Sequence, residues 1–362
     1  MTNRVDIAVV GSGAAGIAAA ICAARAGAST LLLDQRPAAG GTGGFSGLTT
    51  LCGLYDDEGE LLNEGFTCEF TAAVSESAAW PMGKVWVLPY RPEKFREVAA
   101  RMMVATKNLS TQWNTPLREV VVENNRVVQL NGIEVGAVID CSGSAKVARL
   151  AGAECLATDE TTQAPAVVFP LRDVERELNS PAEVAQVLLP LARAGFPPLN
   201  FQSCLTAKTL TVKFTGPAEQ VPDLIRFLQT NVSGFERCTS PLTEFKATAR
   251  AGRMIIGKHI LTGEEVLAGK KFEEAAARCA WPIEQWNASG VSRLRYLAPG
   301  THYEIPPDCL RAAKIENLFM AGKTISADVD AIASARVMGC CLATGAAAGN
   351  LAAGYLESAR TK

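Results

Sequence analysis

The chain has 362 residues, 48% of them hydrophobic and 20% charged, with a formal charge of -2 and a pI near 5.9. That balance describes an ordinary soluble globular protein of two domains, or one large domain with an insertion. It excludes the basic field that a nucleic-acid partner requires, and no Lys/Arg-rich run occurs.

The first segment, VDIAVVGSGAAGIAAAICAARAGASTLLLDQR, alternates element types as a nucleotide-binding unit does. A buried strand (5–10) meets GSGAAG, an Ala-rich helix follows with Gly27 as its stop, and a second strand ends at Asp34. The apolar run carries Asp6 and leads straight into a glycine turn, so it reads as a strand and not as an export signal. Within GSGAAG, Gly11 permits the tight turn, Gly13 lets backbone approach a pyrophosphate, and Gly16 allows close packing of helix on strand. Asp34, 18 residues beyond Gly16, stands where an acidic group would bond a ribose hydroxyl. The segment PAAGGTGGFSGLTTLCG then predicts a long glycine-rich loop suited to an extended dinucleotide.

Residues 92–109 place Phe95, Val98, Met102, Ala105 and Leu109 on one face at helical spacing. Short strands follow, with turns at ENNR and NG, the last strand ending at Asp140 before a return to helix at SGSAKVARLAGA. From about 160 to 300 the composition shifts toward Pro, Thr and charge, with a strand at TLTVKF and a helix at PDLIRFLQT. This reads as an inserted antiparallel domain. ENLFMAG then returns to a buried strand ending at Gly322. The expected architecture is α/β: a Rossmann-like dinucleotide-binding domain from 1–160 and 300–362, with a mixed sheet and a βαβ dinucleotide unit. An inserted α+β substrate domain with an antiparallel sheet is expected over 161–299.

Residues 337–356, VMGCCLATGAAAGNLAAGYL, run without a charge, and roughly 20 apolar residues suffice to cross a bilayer. Four of them are glycine and few are bulky, which favours a tightly packed internal helix, or one whose N-terminal turn approaches a ligand. The 11 cysteines show neither CxxC nor zinc spacing, so they read as buried thiols in a reducing cytosol, and no metal is expected.

These pieces together resemble the FAD-dependent oxidoreductase family of the glutathione-reductase-like flavoprotein superfamily, which includes relatives of the heterodisulfide reductase flavin subunit. The resemblance spans nearly the whole chain. It is carried by GSGAAG, GGTGG, VIDCSGSAKVARLAGAE, RAGRMIIGKHILTGEEVLAGKKFEEAAARCAWPIE, YEIPPDCL, NLFMAGKTISA and SARVMGCCLATGAAAG. It implies FAD contacts at Gly11, Ser12, Gly13, Ala14, Ala15 and Gly16, at Asp34, Gln35 and Arg36, and at Gly40, Gly41 and Thr42. Further contacts are implied at Leu117, Ser142, Gly143 and Gly322, with Arg336, Gly345 and Ala346 near the flavin ring. Where relatives carry an Asp and a His, this chain reads Glu284, Gln285 and Trp286. Neither a second GxGxxG in strand context nor a CxxxxC redox pair is present.

With two histidines in the chain, acid–base candidates are few. His302 and Tyr303 are the first choice for substrate contact or proton transfer, and His259 reads as structural. Arg336 would add a full charge near the ring. Cys52 could be a nucleophile, a covalent flavin anchor or a buried small hydrophobe. Arg250 and Arg253 could clamp a carboxylate or be ordinary strand-surface charges. The expected activity is hydride transfer between FAD and a small organic substrate, without nucleic acid or a membrane span. The alternative is an FAD-binding electron-transfer subunit with a redox partner, and flavin-assisted methyl transfer to RNA lacks the basic surface it would need.

Overall fold

In a computed structural model the described residues are 4–157, 165–178, 180–203, 206–242, 244–245, 247–248, 252–286 and 292–361. Arg250 lies outside them.

Four parallel strands, the inner ones largely buried and Leu109–Gln112 an exposed edge, form the heart of a seven-stranded mixed sheet. Leu109–Gln112, Thr30–Leu33, Arg4–Val10 and Ile133–Asp140 lie side by side in that order, all parallel. Leu318–Met320 joins Ile133–Asp140 in parallel, with Phe319 opposite Ile139. The start of that same edge, at Ile133 and Glu134, carries the antiparallel hairpin Val120–Glu123 and Arg126–Leu130. Its turns fall where ENNR and NG predict them, because Asn124, Asn125, Asn131 and Gly132 all take positive φ, the geometry that two-residue hairpin turns need.

Two helices cover this sheet through small residues. Ala14–Arg25 is buried along nearly all its length, and Met338–Arg360 lies directly on it. A Cβ at Gly345 would stand 2.2 Å from the Ala15 carbonyl oxygen, and one at Gly349 2.4 Å from that of Ala19. The uncharged run 337–356 is therefore a core helix that needs small residues because another backbone occupies their space. Among the described residues no single helix is long and apolar enough to cross a membrane; Val329–Ala335 and Met338–Arg360 pass such a test only as a pair bent by 95°.

Two expectations shift at their boundaries. The helix predicted over 92–109 ends at Ala105, and Leu109 instead opens the strand that pairs with Thr30. Part of the glycine-rich loop closes into the short helix Gly41–Phe45, because Gly43 and Gly44 lie directly against Phe95 and Arg96 of the Pro92–Ala105 helix.

The antiparallel sheet runs Leu199–Ser203, Leu210–Phe214, Ala166–Leu171 and Ala247–Thr248. Val167, Phe169, Leu171, Val212 and Phe214 face its own core with the Pro181–Arg193 and Val221–Asn231 helices. The alternate positions, among them Val168 and Lys213, face the other way, as a period of two requires. Residues 252–286 do not share that core. Met254, Leu261, Ala277, Trp281 and Ile283 pack into the core that contains the first and last helices, so the second packing unit is smaller than the expected span of 161–299. His259 lies outside any strand, with Nε2 3.1 Å from Glu265 Oε2.

The helix crossing sets a test. Gly345→Ala should lower stability by about 1–3 kcal/mol, the cost of overpacking. Gly354→Ala, at a helical position with no atom within 4 Å, should be neutral or stabilise by up to about 1 kcal/mol. Urea unfolding of the two variants measures the difference, and equal stabilities would contradict the crossing.

Candidate functional site

The site begins where the first strand ends. Gly11 turns at φ +99°, and a Cβ there would lie 2.5 Å from the Cys141 carbonyl oxygen. A Cβ at Gly16 would collide with the Gly11 carbonyl, and one at Gly41 would come 2.6 Å from Gly13 Cα. Gly13 caps the Ala14–Arg25 helix without a side chain, leaving the first helical N–H groups without a side-chain cap. Backbone donors, a positive dipole end and an open approach are what a pyrophosphate requires. Asp34 braces this turn: its Oδ2 accepts from Ser12 N at 2.6 Å and Ser12 Oγ at 2.7 Å, and its Oδ1 accepts from Arg36 N at 2.8 Å. The Gly40 N–H donates to the Ser12 carbonyl at 2.9 Å, locking the glycine-rich segment onto the turn.

In front of that helix start lies a cavity of about 1140 Å³, with Gly13, Ala14, Ala15, Thr42, Gly143 and Gly322 at the nucleotide end. Lys323 enters there, lying against Gly143. Burial pulls the Lys323 ammonium below its usual range, Cys341 opposes that, and the charges of Arg336 and Arg36 push it further down. Asp140, at the end of its strand, is consumed structurally: its carboxylate accepts from Ser142 N and Oγ and from Val147 N and Ala148 N.

The opposite wall comes from the Ile283–Trp286 strand, the antiparallel sheet and the start of the C-terminal helix. Glu284 lines the cavity with both carboxylate oxygens engaged: Trp286 Nε1 donates to Oε1 at 2.7 Å and Trp281 Nε1 to Oε2 at 3.2 Å. Burial pushes this carboxyl up. The Arg336 guanidinium, the Lys213 ammonium and the two indole N–H groups outweigh burial and hold it below the usual carboxylate range. Arg336 also donates through Nη2 to the Glu284 main-chain carbonyl at 3.3 Å. The strand is pinned from behind, because Gln285 Nε2 and the Arg295 guanidinium both bond Asp330 on the Val329–Ala335 helix.

Of the residues anticipated from sequence, the cavity gathers Gly13, Ala14, Ala15, Thr42, Gly143, Gly322, Arg336 and Cys52. Gly11, Ser12, Gly16, Asp34, Gly40 and Gly41 build the turn behind it, and Gln35 and Arg36 follow Asp34 outside the lining. Ser142 spends its hydroxyl on Asp140. Leu117 is buried in the hydrophobic cluster with Ala8 and Val10, away from the lining. Gly345 is the crossing point with Ala15, and Ala346 does not line the cavity, so the cavity-facing part of this helix is its start: Val337, Met338 and Cys341.

His302 and Tyr303 are not among the lining residues either. The His302 carbonyl accepts from Lys271 Nζ at 2.5 Å, and burial with the neighbouring charges of Lys271 and Arg278 lowers the imidazole's pKa. Tyr303 is fully buried with its hydroxyl 2.8 Å from Ser334 Oγ. Because Ser334 Oγ donates to the Trp281 carbonyl at 2.5 Å, the tyrosine must be the donor in that pair. Tyr303 therefore holds Trp281 in place through Ser334. Burial pushes the Cys52 thiol up to about 11 and Cys341 up to about 12, so both stay protonated near neutral pH and are poor nucleophiles. The reading of all cysteines as thiols is corrected at one pair, since Cys279 and Cys340 form a disulfide between the Ala277–Cys279 strand and the C-terminal helix. Arg253 opens a short strand paired with Cys155–Ala157 and does not line the cavity.

Sequence reading missed Lys213, Lys323, Trp281 and Trp286. Lys213 was marked by being the one charge in the strand Leu210–Phe214, and the two tryptophans, of five in the chain, by flanking Glu284 within six residues.

Fold and cavity together define an α/β dinucleotide-binding protein whose site is roofed by a second sheet. Comparison with protein families places it further: residues 6–211 and 209–361 match the model described as FAD dependent oxidoreductase. The chain belongs to that family, and its cofactor is FAD. No curated protein sequence matches significantly. Among solved structures, a geranylgeranyl bacteriochlorophyll reductase-like protein from Thermoplasma acidophilum aligns at TM-score 0.53 and 14% identity, over 99% of this chain and 80% of that one. CabE, an aromatic hydroxylase from angucycline biosynthesis, aligns at 0.56 and 12% over 98% and 63%. The p-nitrophenol 4-monooxygenase PnpA from Pseudomonas putida DLL-E4 aligns at 0.51 and 11% over 100% and 82%. At these identities the likeness is one of fold. The chain spans less than two thirds of CabE and of Aquifex aeolicus GidA, of which it covers 64%.

Tyr303→Phe should cost about 1–3 kcal/mol by leaving Ser334 with a lost partner, while flavin content and the pH dependence of flavin reduction stay unchanged. Loss of turnover with stability intact would instead restore Tyr303 to the chemistry.

Proposed function

We propose that this member of the family is a dehydrogenase or reductase that exchanges a hydride between FAD and a small organic substrate enclosed in the cavity. The observation that carries this reading is the continuity of one cavity from the open helix start at Gly13 to the charged and aromatic wall at Glu284. Its volume of about 1140 Å³ leaves room for a second molecule beside the reactive end of a dinucleotide.

The residues present suit the cofactor. Gly13 and the first N–H groups of the Ala14–Arg25 helix would hold the pyrophosphate, with Asp34 near the adenosine ribose and Lys323 supplying charge between the two ends. FAD, when bound, supplies a two-electron centre that accepts or donates hydride. The first turn of the Met338–Arg360 helix directs its positive dipole end, with the buried Arg336 beside it, at the space the ring would take. This favours negative charge there. Trp281, Trp286 and Met338 wall the same space with apolar surface, which strengthens those interactions by keeping water out.

Glu284 takes the place that His302 and Tyr303 were expected to fill, in a different role. A general base works best with a pKa near the operating pH, and Arg336 and Lys213 hold Glu284 the other way. It serves as a fixed anion that accepts a hydrogen bond from a hydroxyl or amine on the substrate and so orients the adjacent C–H. Its lowered folded-state pKa also adds stability that is fully present above the unfolded pKa and is lost as pH falls through the folded value.

The purified protein should be yellow and release FAD on acid precipitation, and a panel of small alcohols, amines and acids should include members that bleach it anaerobically. Protein that neither carries nor takes up FAD would overturn the reading, and bleaching only after addition of a protein partner would replace it with electron transfer. With a bleaching substrate in hand, Glu284→Gln should raise KM about tenfold to a hundredfold, the value of a charge-assisted hydrogen bond. The gap should persist down to about pH 5, where an ordinary glutamate begins to protonate. A gap that closes well above that pH would mean Glu284 titrates as a base.

A further inference from the structure

The charge balance of the cavity wall points beyond the reaction class to the substrate. Among the described residues its ionic lining consists of three cations, Lys213, Lys323 and Arg336, and one carboxylate, Glu284. Arg336 is the charge nearest in effect to Glu284 and donates to its carbonyl, so these two balance each other. Lys323 belongs to the nucleotide end, where it lies against Gly143 and feels the charge of Arg36. Lys213 therefore leaves the wall opposite the nucleotide turn with one net positive charge.

Its position is fixed by the sheet. Lys213 sits in the central Leu210–Phe214 strand, directly between Asn200 on one neighbour and Val168 on the other, and all three line the cavity. Gln202, one pleat along from Asn200 and donating through Nε2 to Thr50 Oγ1, lines it too, so amide groups lie to one side of the ammonium on the same face. Lys213 acts electrostatically on both Cys52 and Glu284, which places it over the same part of the cavity as the carboxylate. The surrounding walls are apolar and largely aromatic: Trp80, Trp286, Leu294 and Tyr296.

We propose that the substrate is an organic monoanion, a carboxylate on an aromatic or otherwise bulky apolar body, and that Lys213 is its anchor. This rests on the cavity being the substrate site of the flavoenzyme. One ammonium with neutral amides beside it matches the single charge of a carboxylate, whereas a phosphate dianion calls for more cationic donors. The body then lies against the indole and phenol rings, and the group next to the oxidisable carbon reaches Glu284.

The test uses the full-length holoprotein, with phenylacetate, indole-3-acetate and octanoate as probes and phenylacetamide as the uncharged control. Binding is read from tryptophan fluorescence, which needs no flavin, and in parallel from the visible flavin spectrum of the same samples. The expected result is that at least one acid binds about tenfold to a hundredfold more tightly than the amide. Lys213→Met should abolish that preference while Lys213→Arg keeps most of it, with flavin content equal in all three proteins. Equal binding of acid and amide, no binding of any acid, or a preference that survives Lys213→Met overturns the proposal. Tighter binding of inorganic phosphate at Lys213 than of every carboxylate overturns it as well. If the acid preference holds in protein that takes up no flavin, the anion site stands and the flavoenzyme reading falls, so the two failures are separable.

Discussion

The backbone of the last helix lies on the backbone of the first, and the rest of the site depends on that contact. Gly345 meets Ala15 and Gly349 meets Ala19 at distances that leave no room for a Cβ. Ala15 and, one turn before Gly345, Cys341 both face the cavity. The crossing therefore fixes how far the nucleotide turn stands from the first turn of the last helix. An amphipathic helix could not take this position, since it would present bulk where a backbone must pass. That is the physical reason for twenty consecutive uncharged residues in which glycine and alanine outnumber leucine.

A second constraint acts at the far wall, where an ionised carboxylate is kept buried. Removing Glu284 from water is costly, and an uncompensated charge there would be strongly destabilising. The compensation comes from four groups on three different elements: Arg336 before the last helix, Lys213 in the antiparallel sheet, and Trp281 and Trp286 around Glu284 itself. The segment that carries Glu284 and the two indoles is itself braced. Tyr303 and Ser334 fix the Trp281 main chain, Asp330 fixes Gln285 and Arg295, and the Cys279–Cys340 disulfide ties the strand leading into Trp281 to the first turn of the last helix. Charge at the wall is thus paid for by framework rather than by solvent.

The sequence was most readable where backbone geometry makes the demand. GSGAAG and the two asparagine turns sit where they were expected, and the buried strand before Gly322 is there but ends at Met320; positive φ or close approach restricts the turn positions to a few residue types. It was misread where tertiary packing decides. Glycine-rich composition suggested a loop at 40–47, but Phe95 and Arg96 press part of it into a helix. Helical spacing ran on to Leu109, although sheet pairing with Thr30 ends the helix earlier. Scarcity of histidine drew attention to His302 and Tyr303, yet the side chains that converge on the cavity are Glu284, Lys213 and two tryptophans from segments distant in sequence. No local pattern announces that convergence.

This division explains why family membership assigns the cofactor and leaves the substrate open. The nucleotide half of the cavity is made largely of backbone: helix N–H groups, glycines and alanines, with Lys323 as the added charge. Such a surface tolerates little change, so its signature persists in the chain as motifs. The other half is made of side chains borne on an antiparallel sheet, where a strand can exchange an inward residue without disturbing its ladder or the core on its opposite face. Lys213 stands at such a position. Its neighbours Val212 and Phe214 are committed to the core, whereas Lys213 faces the cavity and the Glu284 carboxylate. A cation there offsets the Glu284 carboxylate and meets whatever enters the cavity, while neither the strand ladder nor the core behind it calls for one.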